Sequence, residues 1–497
     1  MAEGREDIAF EGGPATAPAE PSASGPGPWG DTGAGPESPL DPASVAAPGP
    51  SPTPPGRVGV RTRRFKFLPL RIGLWYLAAT FLLFLLGPID YPLTNPLQVI
   101  VCMTLVMALM AVGFRSGVYR TARPSTLTFT RTVFIFGAVL AVLILIPSAY
   151  YYTGKLPWEF LAAIADQRGA YSSLAEQLAA TEGQRGPIIA IRALTMPLVW
   201  AVIPFGVIYW SRMGWIYRAL LASTVLCSLI FSALRGTDRE IGDLLIVSGS
   251  AYAVAVGRRM FDTAASPGRS MRKSSGVVAR RWRAAAIAAL ALAVSGSVFV
   301  ERKEDRMSNI NAFCFLNSGA CANYDHPLVS GMNDSGRFAT SMTAAYVTNG
   351  YYGLSLALQK PFIPSWGLGH SPAISRIFDV LGGNDEVRTR TFNYRNIDEG
   401  WPQEYYWSTM LTSLANDVSF PGAIVLMGLF GWVWGRSWMD AVIARNDSAA
   451  IVFCLATFSV LYFPANLQIL QTLEGYSTVL FWLFVWLVFR PRGARGA

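Results

Sequence analysis

The chain has 497 residues, of which 52% are hydrophobic and only 15% charged, with a formal net charge of +9. Soluble domains carry about a quarter charged residues, so this composition excludes an ordinary soluble enzyme of several domains. The basic residues cluster beside apolar runs and are not interleaved with aromatics, which argues against nucleic-acid binding and for topological anchors in a membrane protein.

Residues 1–60 are rich in Pro, Ala, Gly and Ser and poor in large apolar side chains. Such a segment buries too little surface to offset chain entropy, and a disordered cytoplasmic tail is expected. The basic cluster Arg57, Arg61, Arg63, Arg64 and Lys66 then precedes the first apolar run. Runs long enough to cross a ~30 Å hydrocarbon core are read at about 68–88, 95–114, 132–151, 187–210, 213–234, 240–256 and 283–300, then at 418–435, 449–468 and 473–489. The expected fold is therefore an all-α polytopic integral membrane protein of about ten transmembrane helices. Seven spans fall within 65–300 and three within 416–497, with a large extracytoplasmic loop at 301–415 between spans 7 and 8.

Counting Lys and Arg supports this arrangement with both termini in the cytoplasm. From residue 57 onward the inner segments hold 25, including the basic C-terminus from Arg490 to Arg495, whereas the short outer loops hold five. The localisation that follows is the cell inner membrane, multi-pass. Residues 341–358 are apolar enough to suggest a further span, but a crossing there would put the basic C-terminus outside. A re-entrant or interfacial helix is expected instead. Trp158 to Gln184 carries a loose helical pattern suited to lying flat on the outer surface. Cys314 and Cys321 are close together in the polar loop, where either a disulfide or two free thiols is consistent with the spacing.

The outer turn Arg235-Gly236-Thr237-Asp238-Arg239-Glu240 places two arginines and two acids between two spans. Short outer loops avoid arginine. Either the turn is a salt-bridged helix cap, or its guanidinium groups clamp phosphate oxygens at the lipid headgroup level. Arg192 lies inside a span, where an arginine costs at least ~2.5 kcal/mol and marks function unless it snorkels to the headgroups. Asp243, one turn into the next span, is expected to pair with Arg192 or Arg235. His370 sits among glycines in Trp366-Gly367-Leu368-Gly369-His370-Ser371, where close approach of a ligand is permitted and an imidazole could accept a hydroxyl proton. The loop's many aromatics, Tyr351, Trp366 and Trp407 among them, suit either an aromatic core or a sugar-binding surface. Arg388, Arg395 and Asp417 follow as candidate glycan contacts. No zinc spacing occurs, so no metal and no cofactor are expected.

The order of elements resembles that of Wzy-type oligosaccharide repeat-unit polymerases and the related O-antigen ligases: short-looped spans, an outer arginine turn, a basic inner loop, one large outer loop and a few closing spans. Tyr346-Val347-Thr348-Asn349-Gly350-Tyr351-Tyr352-Gly353-Leu354 looks like the family's aromatic-glycine segment. Trp366 to Ser371 looks like its Gly-x-Gly-His/Asn-Ser turn. Trp407-Ser408-Thr409, with Asp417 and Pro421-Gly422, looks like its loop exit. The similarity covers about residues 65–490.

The resemblance implies a metal-independent glycosyltransferase that polymerises undecaprenyl-pyrophosphate-linked oligosaccharide units into O-antigen or exopolysaccharide at the outer face of the inner membrane. Arg235 and Arg239, with help from Arg192, would hold the pyrophosphate. His370 and Asp238 would serve catalysis, and a chain-length regulator and a flippase are implied as partners. A ligase, another lipid-linked glycosyltransferase, or a transporter of lipid-linked sugars are the alternatives. The one-sided loop and the lack of an internal repeat favour an enzyme.

Overall fold

The computed structural model describes residues 65–125, 130–181, 184–265, 313–315, 318–382, 386–403 and 405–489. The tail at 1–60, the expected span at 283–300, the start of the long loop and the basic C-terminus lie outside these residues. The described chain is mostly helical. Its long helices are α1 (Leu68–Leu86), α2 (Pro96–Val118), α3 (Thr130–Thr153), α6 (Gly186–Tyr209), α7 (Trp215–Leu234), α8 (Arg239–Ala265), α9 (Asp334–Leu358), α13 (Met410–Val442), α14 (Asp447–Tyr462) and α15 (Leu473–Val488). Between them lie short helices: α4 (Phe160–Ala165) and α5 (Gln167–Ala180), then α10 (Pro372–Val380), α11 (Glu386–Arg390) and α12 (Phe392–Arg395). Among the described residues seven helices are long and apolar enough to cross a bilayer, namely α1, α2, α3, α6, α7, α8 and α13; α14 and α15 are apolar but shorter.

Helices α2 and α13 meet along a seam of small residues. A side chain at Gly113 would strike the Gly428 carbonyl oxygen at 1.9 Å, and one at Gly431 would strike that of Met110 at 2.2 Å. Only glycine lets the two backbones approach this closely, as Gly-xxx-Gly faces do in membranes. Helix α13 has 33 residues, about 50 Å if straight, more than a bilayer core requires. It breaks at Ser419 (φ 62°), two residues before Pro421, whose ring and missing N–H interrupt the helical ladder. The span expected to begin at 418 thus starts at the break, and residues 410–418 form a separate segment that belongs with the loop.

The helices alternate so that one end of the bundle gathers the C-termini of α1, α3 and α7 and the N-termini of α2, α6, α8 and α15. The loop from 313 to 409 sits at this end. Its strand β2 (Cys321–Ala322) pairs antiparallel with β1 (Ile89–Asp90), which follows α1. Cys314 and Cys321 are joined by a disulfide, so the alternative left open by the sequence resolves to the bonded form. Helix α9 is not one of the apolar spans. It starts on an Asn333 cap whose Oδ1 accepts from Gly336 N at 2.9 Å, and its second half is buried: Gly350 packs against the Pro464 carbonyl and Asn95 donates to Ser355 O at 3.0 Å.

Most of the loop's aromatic content forms a core. Trp401 lies 4.4 Å from Tyr406, 4.9 Å from Tyr352 and 5.1 Å from Phe315 between ring centroids. At the opposite end of the bundle buried charges are tied together. Arg258 donates to Asp447 at 3.0 Å, and Tyr209 and Thr130 donate to the same carboxylate. Arg436 is paired with Asp440 at 3.0 Å.

Candidate functional site

Four helices, α6, α7, α8 and α15, bring charged side chains to one cavity of about 220 Å³, and Ser148 and Tyr152 of α3 also line it. Arg192 comes from the second turn of α6. Arg235 ends α7, Arg239 and Glu240 open α8, and Glu474 lies in the first turn of α15. Because these are helix ends on the same side of the bundle, residues distant in sequence converge without any long loop.

Arg192 is held most firmly. Its Nε donates to Glu474 Oε1 at 2.5 Å, its Nη2 to Oε2 at 3.3 Å, and its Nη1 to Ser148 Oγ at 2.8 Å. The pair is 12% and 14% exposed, so its charges are screened mainly by each other. Arg235 is paired with Glu240, whose other oxygen accepts from Thr237 Oγ1 at 3.0 Å. The Arg192 and Arg235 guanidinium groups both lie against the Phe231 ring, 5.2 and 5.4 Å from its centroid. Arg239 lies 3.6 Å from Asp243, which also accepts from the Tyr462 hydroxyl at 2.8 Å. With its amide oriented to satisfy both ends, Gln468 accepts from Arg239 Nε at 2.7 Å and donates to Asn466 Oδ1 at 2.8 Å.

The expected partner of Asp243 therefore needs correcting. It is Arg239, four residues earlier on the same helical face, because Arg192 is taken by Glu474 and Arg235 by Glu240. Glu474, an acid in the first turn of the apolar helix α15, went unnoticed in the sequence, where it lies 282 residues from Arg192.

Below this charged mouth the wall becomes apolar. Ala141 on α3, Ile203 on α6 and Thr224 on α7 each line the cavity eleven residues from the charged end, marked by Tyr152, Arg192 and Arg235 on the same helices. Eleven residues is about 16 Å of helix axis. Trp200 and Phe458, edge to face at 5.6 Å, also line it. The cavity thus joins a polar mouth to a largely apolar slot.

His370 does not line this cavity but stands beside its rim. Its ring is 5.8 Å from that of Tyr476, the neighbour of the lining residue Gly475. Ser371 Oγ donates to Leu470 O at 2.5 Å, next to the lining residue Ile469. His370 Nδ1 is 2.7 Å from Asp417 Oδ2, which also accepts from the His370 backbone N–H at 3.0 Å. The other oxygen, Oδ1, accepts from Ser365 Oγ at 2.7 Å, Gly369 N at 2.9 Å and Gly367 N at 3.0 Å. Five donors surround one carboxylate, an arrangement that suits the anion. With Asp417 ionised, Nδ1 carries the imidazole proton and Nε2 presents its lone pair. Asp417, expected as a glycan contact, is in this structure the brace of the His370 turn.

The other expected contacts divide. Trp366 is 75% exposed in a left-handed backbone conformation (φ 57°) on the same turn. Tyr351 is 0% exposed. Its ring packs edge-on to Phe81 and its hydroxyl meets Thr80 Oγ1 at 3.0 Å, so it offers no face to a sugar. Trp407 is half-buried against Tyr346 at 4.8 Å. Arg388 stacks on Tyr394, and Arg395 donates to Pro361 O at 2.8 Å while covering Phe392. Partial burial pulls the Arg395 guanidinium below its ordinary value, with Asp398 opposing the shift. Asp238 is part of the turn before α8 and is not among the cavity-lining residues. Among the described residues no group of three or more His, Cys, Asp or Glu is placed to hold a metal.

The fold is that of an all-α membrane protein, and its helices enclose a cavity with a charged mouth. No family model matches the chain, and neither a curated protein nor a solved structure matches it.

Proposed function

We propose that this protein is a membrane glycosyltransferase that polymerises polyprenyl-diphosphate-linked oligosaccharide repeat units on the outer face of the cytoplasmic membrane. The observation that carries this reading is one cavity in which Arg192, Arg235 and Arg239 surround a polar mouth above an apolar slot. A diphosphate belongs with guanidinium groups, and a polyprenyl chain belongs with the slot. The His370–Asp417 pair stands at the rim, where a sugar on that diphosphate would emerge. The Cys314–Cys321 disulfide at the same end of the bundle supports an oxidising, extracytoplasmic surroundings for it.

In the proposed reaction an acceptor sugar hydroxyl attacks the anomeric carbon of the lipid-linked glycan. The new carbon–oxygen bond forms as the bond from that carbon to the diphosphate oxygen breaks. The hydroxyl proton passes to His370 Nε2, and the electron pair leaves with the lipid diphosphate, whose charge the arginines neutralise. The test is reconstitution in vesicles with a lipid-linked oligosaccharide. A ladder of lengthened glycans with release of one lipid diphosphate per step is expected. Bound but unlengthened substrate, or its appearance on the opposite leaflet, would refute polymerisation.

A further inference from the structure

All three cavity arginines carry internal counter-charges. Three arginines and three carboxylates leave the lining formally neutral, which is not what a simple anion trap would show. The strongest of these pairs joins helices that are far apart in sequence, Arg192 on α6 and Glu474 on α15, through two hydrogen bonds. Building on the diphosphate reading above, we propose that Glu474 is a specificity-determining residue that excludes singly charged phosphate lipids from the site. Glu240, paired with Arg235, acts in the same way.

The reasoning is a comparison of exchanges. A phosphodiester headgroup brings one negative charge. To reach Arg192 it must displace a carboxylate of equal charge, which gains little and leaves the largely buried Glu474 without its cation. A diphosphate ester brings more charge and several acceptor oxygens. It engages Arg192 and Arg235 together, since both guanidinium groups lie against the same Phe231 ring. Only the polyvalent ligand therefore outweighs the cost of freeing the carboxylates. Membrane phospholipids greatly outnumber any rare lipid carrier, so discrimination of this kind must come from an element that repels the wrong ligand as well as one that attracts the right one.

The test uses the full-length protein in detergent, with farnesyl diphosphate and a short-chain phosphatidylglycerol as probes. Wild type is expected to bind the diphosphate and to prefer it strongly. Glu474→Gln, which keeps an acceptor for Arg192 but removes the charge, is expected to gain at least tenfold in phosphatidylglycerol affinity and so to narrow the preference. Adding Arg192→Ala to that variant is expected to abolish the gain. Glu240→Gln repeats the measurement at the second pair, should Glu474→Gln not yield folded protein. If wild type binds the diphosphate and neither neutralised variant changes the preference, the role of Glu474 and Glu240 is overturned and the diphosphate site stands. If no variant, nor wild type, binds the diphosphate, both readings fall.

Discussion

Asp417→Asn changes one atom and should disable His370 without removing it. The asparagine oxygen would settle on the side of Ser365 Oγ, Gly367 N and Gly369 N, where three donors converge. Its NH2 group would then face the His370 backbone N–H, 3.0 Å away in the native structure, and the imidazole Nδ1 at 2.7 Å. Two charge-assisted hydrogen bonds are lost, each worth about 1.5–3 kcal/mol, so a destabilisation of roughly 3 kcal/mol or more is expected. The amide also reverses the tautomer. Nδ1 must accept, Nε2 takes the proton, and the lone pair needed by a base turns away from the cavity rim. Loss of a positioned base lowers a rate by about 10²–10⁴. The assay is single-turnover transfer in vesicles alongside His370→Ala and the double variant, with thermal unfolding to separate stability from chemistry. Asp417→Asn should match His370→Ala, and the double variant should be no slower than either. Turnover of Asp417→Asn at the wild-type rate, or full additivity of the two changes, would refute the assignment of Asp417 as the positioning residue.

Arg235→Ala and Arg239→Ala should abolish glycan lengthening while leaving the protein in the membrane; polymer of normal length from both would remove the diphosphate assignment. Arg235→Lys should also impair lengthening by tenfold or more, because an ammonium lacks the planar fork. Gly113→Leu should separate α2 from α13, since even a methyl group would meet the Gly428 carbonyl oxygen at 1.9 Å. A melting temperature within a degree or two of wild type would contradict the described seam. Finally, Cys314 and Cys321 should resist a membrane-impermeant maleimide on intact cells until a reductant is added. Labelling without reductant would mean that the thiols are free.

Much of the architecture was legible because membrane physics writes it plainly. Every described long apolar helix begins within a few residues of its expected start apart from α13, whose span extends on both sides of the expected one; α8 runs nine residues past its expected end at 256 and α14 stops six short of 468. Residues 410–418 are the exception with a physical reason, since helicity resumes on both sides of the Ser419 break and composition alone cannot show that. The arginines of the outer turn and Arg192 were recognised as belonging together, and a salt-bridged turn was one reading of 235–240, where Arg235 pairs with Glu240; the partners of Arg192 and Asp243 were not foreseen. Pairing in a bundle depends on which helix ends are neighbours, and nothing in the text of α15 ties Glu474 to α6. The aromatic residues of the long loop were ambiguous for a similar reason. A tryptophan such as Trp401, buried in a core, and one such as Trp366, exposed on a turn, are the same letter. The Gly-xxx-Gly spacing at 113–117 and 431–435 was present in the sequence and went unused.

The break at Ser419 has a mechanical consequence. Asp417 and the turn it braces ride on the short upper piece of α13, whose lower piece is clamped to α2, whereas the cavity arginines Arg192, Arg235 and Arg239 are carried by α6, α7 and α8. The His370–Asp417 pair and the cavity arginines are thus held by different helices, linked near the rim by the Ser371–Leu470 hydrogen bond. Bending at Ser419 would alter the gap between them while leaving each set of internal bonds intact. On the proposed function, such a bend would draw the imidazole away from the charged mouth as a product leaves and return it for the next round.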